Sequence, residues 1–396
     1  MNLKQLVKTT WRRRSWLFGQ VRPGQILNLA RAGRDFALKR EVTTALPAVV
    51  KIDITPNCNL SCTMCVHADP NGSERIDNQV FKGSHRMSVD RYRSIIDQIA
   101  GKTLAVTLYT WGDPMTHSEL DEMCRIAADA KLESHISTNF SFKLSDERIR
   151  SLVESGLTHL TVCVDGLTQE NYSKTRVGGR IDWVLSNLRR VLEVRNELGR
   201  KFPVVEVQYI KYKHNVHEVE EARELVEGWG TDEFSTFWGA LHNLADIMPD
   251  KYQVHGAKKN GKLPLCYWPH FSTVIKYNGD VIPCCEHRQA AQHVGPDSRH
   301  DPEARTLGNV FEKGLEEIWN SQQYQDVRRL VSNPELSDQE PALKKNFCDG
   351  CFVCFDTSIG ETSRRWGSEL EFEEIFDLDK RGRPVRKLPI FTGLPE

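Results

Sequence analysis

The stretch that decides the fold is Cys58-Asn-Leu-Ser-Cys62-Thr-Met-Cys65, a C-x₃-C-x₂-C run that directly follows an apolar segment. Three thiolates on one short loop can each bind a different iron of a cubane cluster and leave the fourth iron open. A structural zinc site requires four closed ligands, and His67 follows too closely to serve as a clean fourth. The spacing therefore favours an iron–sulfur cluster with one reactive corner over zinc.

Outward from this loop, strand-like and helix-like patterns alternate between Ala48 and about Ala240. Such alternation indicates βαβ crossovers and a parallel sheet. We expect a partial (β/α)₆ TIM-like barrel, with a flat doubly wound sheet as the alternative. The predicted strands are 49–55, 104–110, 134–138, 159–164, 204–210 and 234–238; the predicted helices are 89–100, 118–130, 145–155, 181–198 and 216–227, with Ser88, Ser145 and Asn215 as capping residues.

Further motifs stand at the ends of the predicted strands. Trp111-Gly112-Asp113-Pro114 ends the second, Ser137-Thr138-Asn139 ends the third, and Asp165-Gly166 follows the fourth. An Asp-Gly pair alone indicates only a turn. In a parallel α/β fold, however, chemistry gathers where strands end and loops begin, so the four motifs together predict a common site.

These residues together resemble the motifs of radical S-adenosylmethionine enzymes, with Met64 in place of the usual aromatic residue, Trp111 in place of a glycine and Cys163 in place of a serine. The resemblance implies that the open iron of a [4Fe–4S] cluster chelates S-adenosylmethionine. An external one-electron donor such as flavodoxin or ferredoxin then starts its cleavage to a 5′-deoxyadenosyl radical. The implied ligands are Cys58, Cys62 and Cys65, and the implied cofactor contacts are Trp111, Gly112, Asp113 and Pro114 for the ammonium group, Ser137 and Asn139 for the ribose, and Asp165.

Basic residues follow the fourth predicted strand. Arg176, together with Lys174 and Arg180, is expected to meet a carboxylate or phosphate of the cofactor or the substrate. The alternative is a solvated loop. Two isolated cysteines, Cys124 and Cys163, are expected to be buried small hydrophobes.

A second set of cysteines follows in a region of different composition, where residues 273–282 predict a β-hairpin and residues 315–330 predict a helix. Cys266, the hairpin Gly279-Asp-Val-Ile-Pro-Cys284 and the run Cys348-Asp-Gly-Cys351-Phe-Val-Cys354 resemble the auxiliary-cluster domain called SPASM or its shorter form, twitch. Too few cysteines remain for two clusters, so we expect one auxiliary [4Fe–4S] cluster in a small cysteine-rich α+β domain. A zinc site stays open as the alternative. The expected ligands are Cys266, Cys284, Cys348 and Cys351, with Cys354 able to replace one of them.

Residues beside Cys284 are candidates for the chemistry itself. Oxidation of a hydroxylated carbon requires a base near the hydroxyl group, and Glu286 or His287 is the candidate. Cys285 is a candidate donor of a thiol hydrogen, which would make the enzyme an epimerase. A solvated loop or a buried neighbour of the cluster is the structural alternative for these residues.

The substrate class is inferred from the chain's organisation. Only some 47 residues precede the first strand, too few for the peptide-recognition domain common among peptide-modifying relatives. We therefore expect oxidation or epimerisation of a hydroxylated small molecule: a sugar, an aminocyclitol or a nucleotide sugar. A peptide-modifying maturase is the first alternative, and a non-catalytic iron–sulfur electron carrier or scaffold is the second.

Net charge and chain length limit the partners, the localisation and the domain organisation that we expect. The 396 residues carry 53 basic and 54 acidic side chains, a net charge of −1, so we expect no nucleic-acid partner. Residues 1–40 hold ten Lys or Arg and one acid, and are expected to be a solvated basic arm or, alternatively, a peripheral contact to an anionic membrane. Without a signal segment we expect a cytoplasmic protein. The expected organisation is 1–47 basic extension, 48–245 core, 246–263 linker, 264–360 auxiliary domain and 361–396 charged tail.

Overall fold

An eight-stranded sheet organises the fold in a computed structural model, which describes residues 21–63, 65, 85–239, 263–264, 266–284, 306–348, 376–378 and 384–386. The sheet order is β6-β5-β4-β3-β2-β1-β7-β8, with β8 antiparallel and the other strands parallel. The strands are β1 Val49–Ile52, β2 Ala105–Thr107, β3 Glu133–Thr138, β4 His159–Cys163, β5 Val204–Lys211, β6 Glu233–Trp238, β7 Ser272–Ile275 and β8 Val281–Ile282.

Helices connect and flank these strands. They are α1 Pro23–Ala37, α2 Val89–Ile99, α3 Leu120–Asp129, α4 Asp146–Glu154, α5 Gln169–Thr175, α6 Ile181–Glu197, α7 Val219–Gly228, α8 Trp268–Phe271, α9 Leu315–Trp319, α10 Gln322–Ser332 and α11 Leu336–Gln339. Short 3₁₀ turns cover Pro114–Thr116, Val216–Glu218 and Pro341–Lys345, and a two-stranded ribbon joins β9 Phe376–Leu378 to β10 Pro384–Arg386. No helix within the described ranges is long and apolar enough to span a membrane.

The strand order confirms the partial barrel. Strands β1 to β6 are neighbours in the order in which they follow along the chain, whereas a doubly wound sheet reverses direction at a switch point. Alternate residues of each strand face opposite sides of the sheet. Val50 and Ile52 join the apolar core with helix α2, while the intervening Lys51 and Asp53 face the inside of the barrel, which we call the lumen.

The cap predictions are partly confirmed. Ser88 and Ser145 accept hydrogen bonds from the backbone N–H groups of Arg91 and Arg148 at the starts of α2 and α4. Asn215 occupies the cap position before the 3₁₀ turn Val216–Glu218, as expected, but its side chain does not cap that turn. The side chain accepts from the N–H of Tyr212 and donates to the carbonyl oxygen of Asp165, so it joins the ends of β4 and β5.

The prediction of a single helix over residues 315–330 is also wrong. Helix α9 ends at Trp319, and Ser321 caps a second helix, α10, by accepting from the N–H of Tyr324. Between them, the side-chain oxygen of Asn320 accepts from the N–H of Thr43 at 2.9 Å. The two helices therefore bend around a contact with the segment that precedes β1.

The basic extension is not a solvated arm over its whole length. Gln25, Asn28 and Asp35 of α1 are buried. The amide of Gln25 donates to the carbonyl oxygens of Thr103 and Lys131 at 2.7 and 2.9 Å, and Asn28 exchanges two hydrogen bonds with Leu46. The buried face of α1 is polar, so no apolar stripe indicated the helix. Residues 1–20 lie outside the described residues.

The auxiliary region shares the sheet of the core. Strand β7 pairs in parallel with β1, from Val49 opposite Ser272 to Ile52 opposite Ile275. On the other side of β7, the Tyr324 hydroxyl donates to Thr273 Oγ1 at 2.9 Å. The expected hairpin of residues 273–282 is thus confirmed, and it extends the barrel sheet at the edge of β1. Most of the expected linker, 246–263, lies outside the described residues.

Candidate cluster and cofactor site

The three cysteines of the first run lie on the loop that follows β1. Cys62 is buried, and Cys58 and Cys65 are half-buried. A turn closes this loop, because the N–H of Cys65 donates to the carbonyl oxygen of Cys62 at 3.0 Å. Burial raises the pKa of the Cys58 thiol, and Asp113 and the two other thiols raise it further. The thiols therefore lie within electrostatic reach of one another.

This donor set fits an iron–sulfur cluster better than a single ion. Among the residues that the structure describes, no three His, Cys, Asp or Glu side chains are arranged to hold one metal ion. A cubane cluster needs a different arrangement, because each thiolate binds its own iron and the three sulfur atoms therefore lie farther apart. The three thiols of this loop are close enough to shift one another's pKa but are not arranged around a single ion.

The loop after β2 packs tightly against the cysteine loop at Gly112. A Cβ atom at Gly112 would lie 2.0 Å from the carbonyl oxygen of Thr55 and 2.7 Å from that of Asn57. The next N–H, that of Asp113, donates to the Asn57 carbonyl oxygen at 2.8 Å. Glycine is therefore required here because backbone meets backbone directly before Cys58.

The carboxylate of Asp113 has hydrogen-bond partners within the chain, and its expected contact with the cofactor's ammonium group stays a prediction. It accepts from the Thr138 hydroxyl at 2.8 Å, the Asn139 N–H at 2.8 Å and the Met115 N–H at 3.0 Å. Burial raises the pKa of Asp113 to about 6, and these hydrogen bonds oppose the rise. Asp113 therefore ties the β2 loop to the end of β3. Pro114 follows it as the buried first residue of a 3₁₀ turn.

Asn139 connects the motif at the end of β3 to the cysteine loop. Its Nδ2 donates to Asp113 Oδ2 at 2.7 Å and to Asn59 Oδ1 at 2.9 Å, and it lies 3.8 Å from Cys58 Sγ. The hydroxyl of Ser137 lies 3.8 Å from Cys163 Sγ, and both Cys163 and Cys124 are buried as expected. Sequence reasoning missed Asn59, although its place inside the C-x₃-C run was a signal.

Asp165 and Arg176 meet beside Cys62. Arg176 Nε donates to Asp165 Oδ2 at 2.6 Å, and its Nη1 lies 3.8 Å from Cys62 Sγ. Burial raises the pKa of Cys62 to about 12, and the Arg176 charge opposes that rise. Arg176 was expected to face a carboxylate or phosphate of a bound molecule, but its charge is directed at groups of this chain.

Part of the second cysteine set is described. Cys266 and Cys284 are buried, and Cys348 is half-buried. Cys284 and Cys348 both raise the pKa of the buried Tyr324, so they approach the same side chain of α10. Cys351, Cys354 and the catalytic candidates Cys285, Glu286 and His287 lie outside the described residues.

The lumen carries charged side chains that sequence reasoning missed. Asp53 follows β1 and Lys276 follows β7, and each is about 1% exposed. Deeper in the lumen, His159 Nε2 lies 2.9 Å from Glu206 Oε2, and His135 Nε2 lies 2.9 Å from Thr161 Oγ1. The alternation of Lys51 and Asp53 with apolar residues in β1 was the available signal.

Two family models match the chain at the places where these features lie. The Radical SAM superfamily model matches residues 52–226, and the SPASM model, an iron–sulfur cluster-binding domain, matches residues 266–354. The chain belongs to the radical SAM enzymes with a SPASM domain. As such it binds a [4Fe–4S] cluster with S-adenosylmethionine and carries auxiliary iron–sulfur binding in the SPASM domain.

Curated relatives of this radical SAM enzyme differ in their named activities. It is 23% identical to the tungsten-containing aldehyde ferredoxin oxidoreductase cofactor-modifying protein of Pyrococcus furiosus, over 75% of this chain and 88% of that protein. It is 24% identical to the AdoMet-dependent heme synthase of Methanosarcina barkeri, over 78% and 92%. The match to the PqqA peptide cyclase of Rhodopseudomonas palustris, at 23%, spans only about half of each chain, 54% and 53%.

Several solved structures are similar to this chain. The crystal structure of BtrN in complex with AdoMet and 2-DOIA has 15% sequence identity and a TM-score of 0.44, and the match covers 81% of this chain and 97% of BtrN. Native anSMEcpe with bound AdoMet has 11% identity and a TM-score of 0.49, covering 83% and 95%. Streptococcus suis SuiB bound to the precursor peptide SuiA has 16% identity and a TM-score of 0.47, covering 76% and 71%.

Proposed function

We propose that this enzyme oxidises or epimerises a hydroxylated small molecule that binds in the lumen. S-adenosylmethionine bound at the cluster supplies a 5′-deoxyadenosyl radical, which removes hydrogen from a C–H bond. The observation that carries the proposal is the buried pair Asp53 and Lys276, whose polar atoms face the lumen beside the Trp111–Gly112 turn.

The position of this pair follows from the sheet. Ile52 lies opposite Ile275, and the N–H of Asp53 donates to the Ile275 carbonyl oxygen at 2.8 Å, so Asp53 and Lys276 follow side by side on one face. Among the described residues, Lys276 Nζ has no hydrogen-bond partner, and Asp53 is approached by the backbone N–H groups of Trp111 and Gly112, which lower its pKa without giving either oxygen a well-aligned hydrogen bond. Leaving such groups unsatisfied costs about 1–3 kcal/mol each. A bound hydroxyl group can satisfy both, because it donates to a carboxylate and accepts from an ammonium.

The same pair suits the proton transfer of an oxidation. Burial raises the pKa of Asp53 to about 7, which the Lys276 charge opposes, and burial lowers the pKa of Lys276 to about 7, which the charges of Asp280 and then Asp53 oppose. A group that titrates near neutral pH is an efficient proton acceptor. The substrate would lose one hydrogen atom to the radical and its hydroxyl proton to this pair. An auxiliary iron–sulfur cluster, when bound, supplies the acceptor for the remaining electron, which leaves a ketone.

The individual ligands and auxiliary roles belong to this proposal. Cys58, Cys62 and Cys65 would hold the first cluster, and one auxiliary [4Fe–4S] cluster would take Cys266, Cys284, Cys348 and Cys351, with Cys354 as a replacement. Cys285, Glu286 and His287 remain candidates for hydrogen donation and proton transfer. Flavodoxin or ferredoxin is the proposed electron donor, and the basic residues 1–40 are the proposed peripheral membrane contact.

Two relatives support a small-molecule substrate. The relatives matched over 88% and 92% of their own lengths are named for a cofactor and for heme. The PqqA peptide cyclase is the reason to keep a peptide-modifying maturase as the second candidate, although the match covers 53% of that protein.

The test uses the anaerobically reconstituted full chain with dithionite and S-adenosylmethionine. Aminocyclitols, sugars and nucleotide sugars are added one at a time, and 5′-deoxyadenosine and product mass are measured. We expect one of these classes to stimulate 5′-deoxyadenosine release and to lose two hydrogens, or to gain one deuterium in D₂O. The Cys58→Ala variant is the negative control. Stimulation by a ribosomal precursor peptide alone would contradict the proposal and favour the maturase.

A further inference from the structure

The segment around Arg176 is clamped to the cysteine loop. The N–H of Ser61 donates to the carbonyl oxygen of Val177 at 3.0 Å, and the N–H of Thr63 donates to that of Thr175 at 3.1 Å. These two hydrogen bonds bracket Cys62 on one strand of backbone and Arg176 on the other. The pairing therefore places the arginine opposite the buried cysteine by the course of the backbone itself.

The direction of the guanidinium group is fixed by Asp165. Asp165 is fully buried at the end of β4; its Oδ2 accepts from Arg176 Nε at 2.6 Å, and its Oδ1 accepts from the Ile210 N–H at 2.8 Å. Its own carbonyl oxygen accepts from Asn215 Nδ2 at 2.9 Å. With Nε committed to Asp165, the planar guanidinium presents Nη1 to Cys62 Sγ at 3.8 Å.

The arginine keeps its charge in this position. The guanidinium group is protonated at any ordinary pH, and its ion pair with the buried Asp165 holds that charge beside Cys62. A lysine would keep the charge but not the planar fork that directs one nitrogen to the carboxylate and another to the sulfur. The side chain is 12% exposed, so water screens the charge weakly.

We propose that Arg176, oriented by Asp165, is a positioning residue that raises the reduction potential of the cluster at Cys58, Cys62 and Cys65. Reduction adds a negative charge to the cluster, and a nearby positive charge and an N–H···S contact stabilise that form. The inference depends on the proposed ligand set at this loop, but on no substrate.

The test is a redox titration of reconstituted full-length protein, followed by the EPR signal of the reduced cluster. The signal is assigned in a separate sample as the one that S-adenosylmethionine perturbs, and the titration is run without that cofactor. In Arg176→Gln we expect the one-electron reduction equilibrium to weaken about tenfold, which is about 59 mV toward negative potential. Arg176→Lys keeps the charge without the fork and should shift by less.

The matched control is Arg148→Gln, which removes another partly buried arginine–aspartate pair, Arg148–Asp121 at 2.6 Å. We expect wild-type potential and iron content there. An unchanged potential in Arg176→Gln, with full iron content, would overturn the proposal. A shift seen only when S-adenosylmethionine is present would also overturn it, because it would assign Arg176 to the cofactor's carboxylate.

If Arg176→Gln loses iron, the reduction potential of Arg176→Lys tests the proposal instead. A lower potential at wild-type iron content then supports the proposal, and a wild-type potential contradicts it. Loss of iron from both variants overturns it in favour of a purely structural role. Failure of the proposed small-molecule activity leaves these readings intact, since neither the titration nor the iron count uses a substrate.

Discussion

At the scale of single residues, the site is built from side chains whose charged groups already have hydrogen-bond partners within the chain. Asp113 and Arg176 stand where sequence resemblance places cofactor contacts, yet their charged atoms meet Thr138, Asn139 and Asp165. These residues therefore shape the cysteine loop. Asp53 and Lys276, in contrast, face the lumen with no well-aligned hydrogen bond from the described residues, although the N–H groups of Trp111 and Gly112 lie near Asp53.

The Asp53–Lys276 pair should show coupling in a double-mutant cycle. Asp53→Asn leaves Lys276 buried with only Asp280 as a counter-charge, and Lys276→Met leaves Asp53 buried with only Lys51, so each single change costs more than its share of the double change. We expect the double variant to be more stable than the sum of the singles predicts, by about 1–3 kcal/mol. Urea unfolding of the four proteins measures this energy; additive effects would show that the two groups do not interact.

Gly112 offers a second residue prediction. In Gly112→Ala the new methyl group meets the Thr55 carbonyl oxygen at 2.0 Å, so the β2 turn must move away from the cysteine loop. We expect less than half of the wild-type iron after reconstitution. Gly33→Ala in α1 is the matched control, since nothing lies within 4 Å of its Cβ position, and it should retain full iron. Full loading of Gly112→Ala would show that the close approach is dispensable.

At the scale of elements, α1 docks on α8 through a buried histidine. His270 packs against the Phe36 ring with centroids 5.4 Å apart, and its Nε2 lies 3.3 Å from the Arg40 carbonyl oxygen. Burial lowers the pKa of His270 from 6.5 to about 4, and the nearby Arg328 charge lowers it further. The folded state thus binds this proton more weakly than the unfolded chain does.

The stability of the protein should therefore fall as the pH drops below about 6.5. A histidine pKa depressed to about 4 removes about 2 kcal/mol of unfolding free energy between pH 7 and pH 5. In His270→Gln we expect that part of the pH dependence to disappear. Urea unfolding at both pH values compares the two proteins, and an equal pH dependence in both would contradict the assignment.

Some of the strands and helices could be predicted from the sequence, and others could not. The strands and their terminal motifs were predictable because apolar runs and Gly or Asp turns mark them locally. Helix α1 was not, because Gln25, Asn28 and Asp35 stabilise it through distant backbone groups. The pairing of β1 with β7 could not be predicted either, because pairing between strands some 220 residues apart leaves no local sequence pattern.

At the scale of the whole molecule, the core and the auxiliary region form one sheet and share anchors. Arg328 of α10 donates to the carbonyl oxygens of Pro269 at 2.8 Å and Glu41 at 2.7 Å, and Trp319 Nε1 donates to that of Ala45 at 2.9 Å. These contacts join three distant segments of the chain. The core and the auxiliary region are therefore joined both by the shared sheet and by these hydrogen bonds.

This continuity predicts that the two regions open together. We expect hydrogen exchange to report the same opening free energy for the amides of β1 and β7, because β7 is bonded along the edge of β1. Arg328→Gln should lower both values equally. Earlier exchange of β7, with β1 still protected, would show that the auxiliary region unfolds as a separate unit.

The position of β7 has a consequence for access. Because β7 and β8 occupy the outer side of β1, the sheet ends at β6 and β8 and does not close into a ring. Within the described part of the chain, β6 is the outer strand on that side, and all of its residues are of intermediate exposure. Among these residues the inner face of the sheet can therefore be approached across β6 as well as from the ends of the strands.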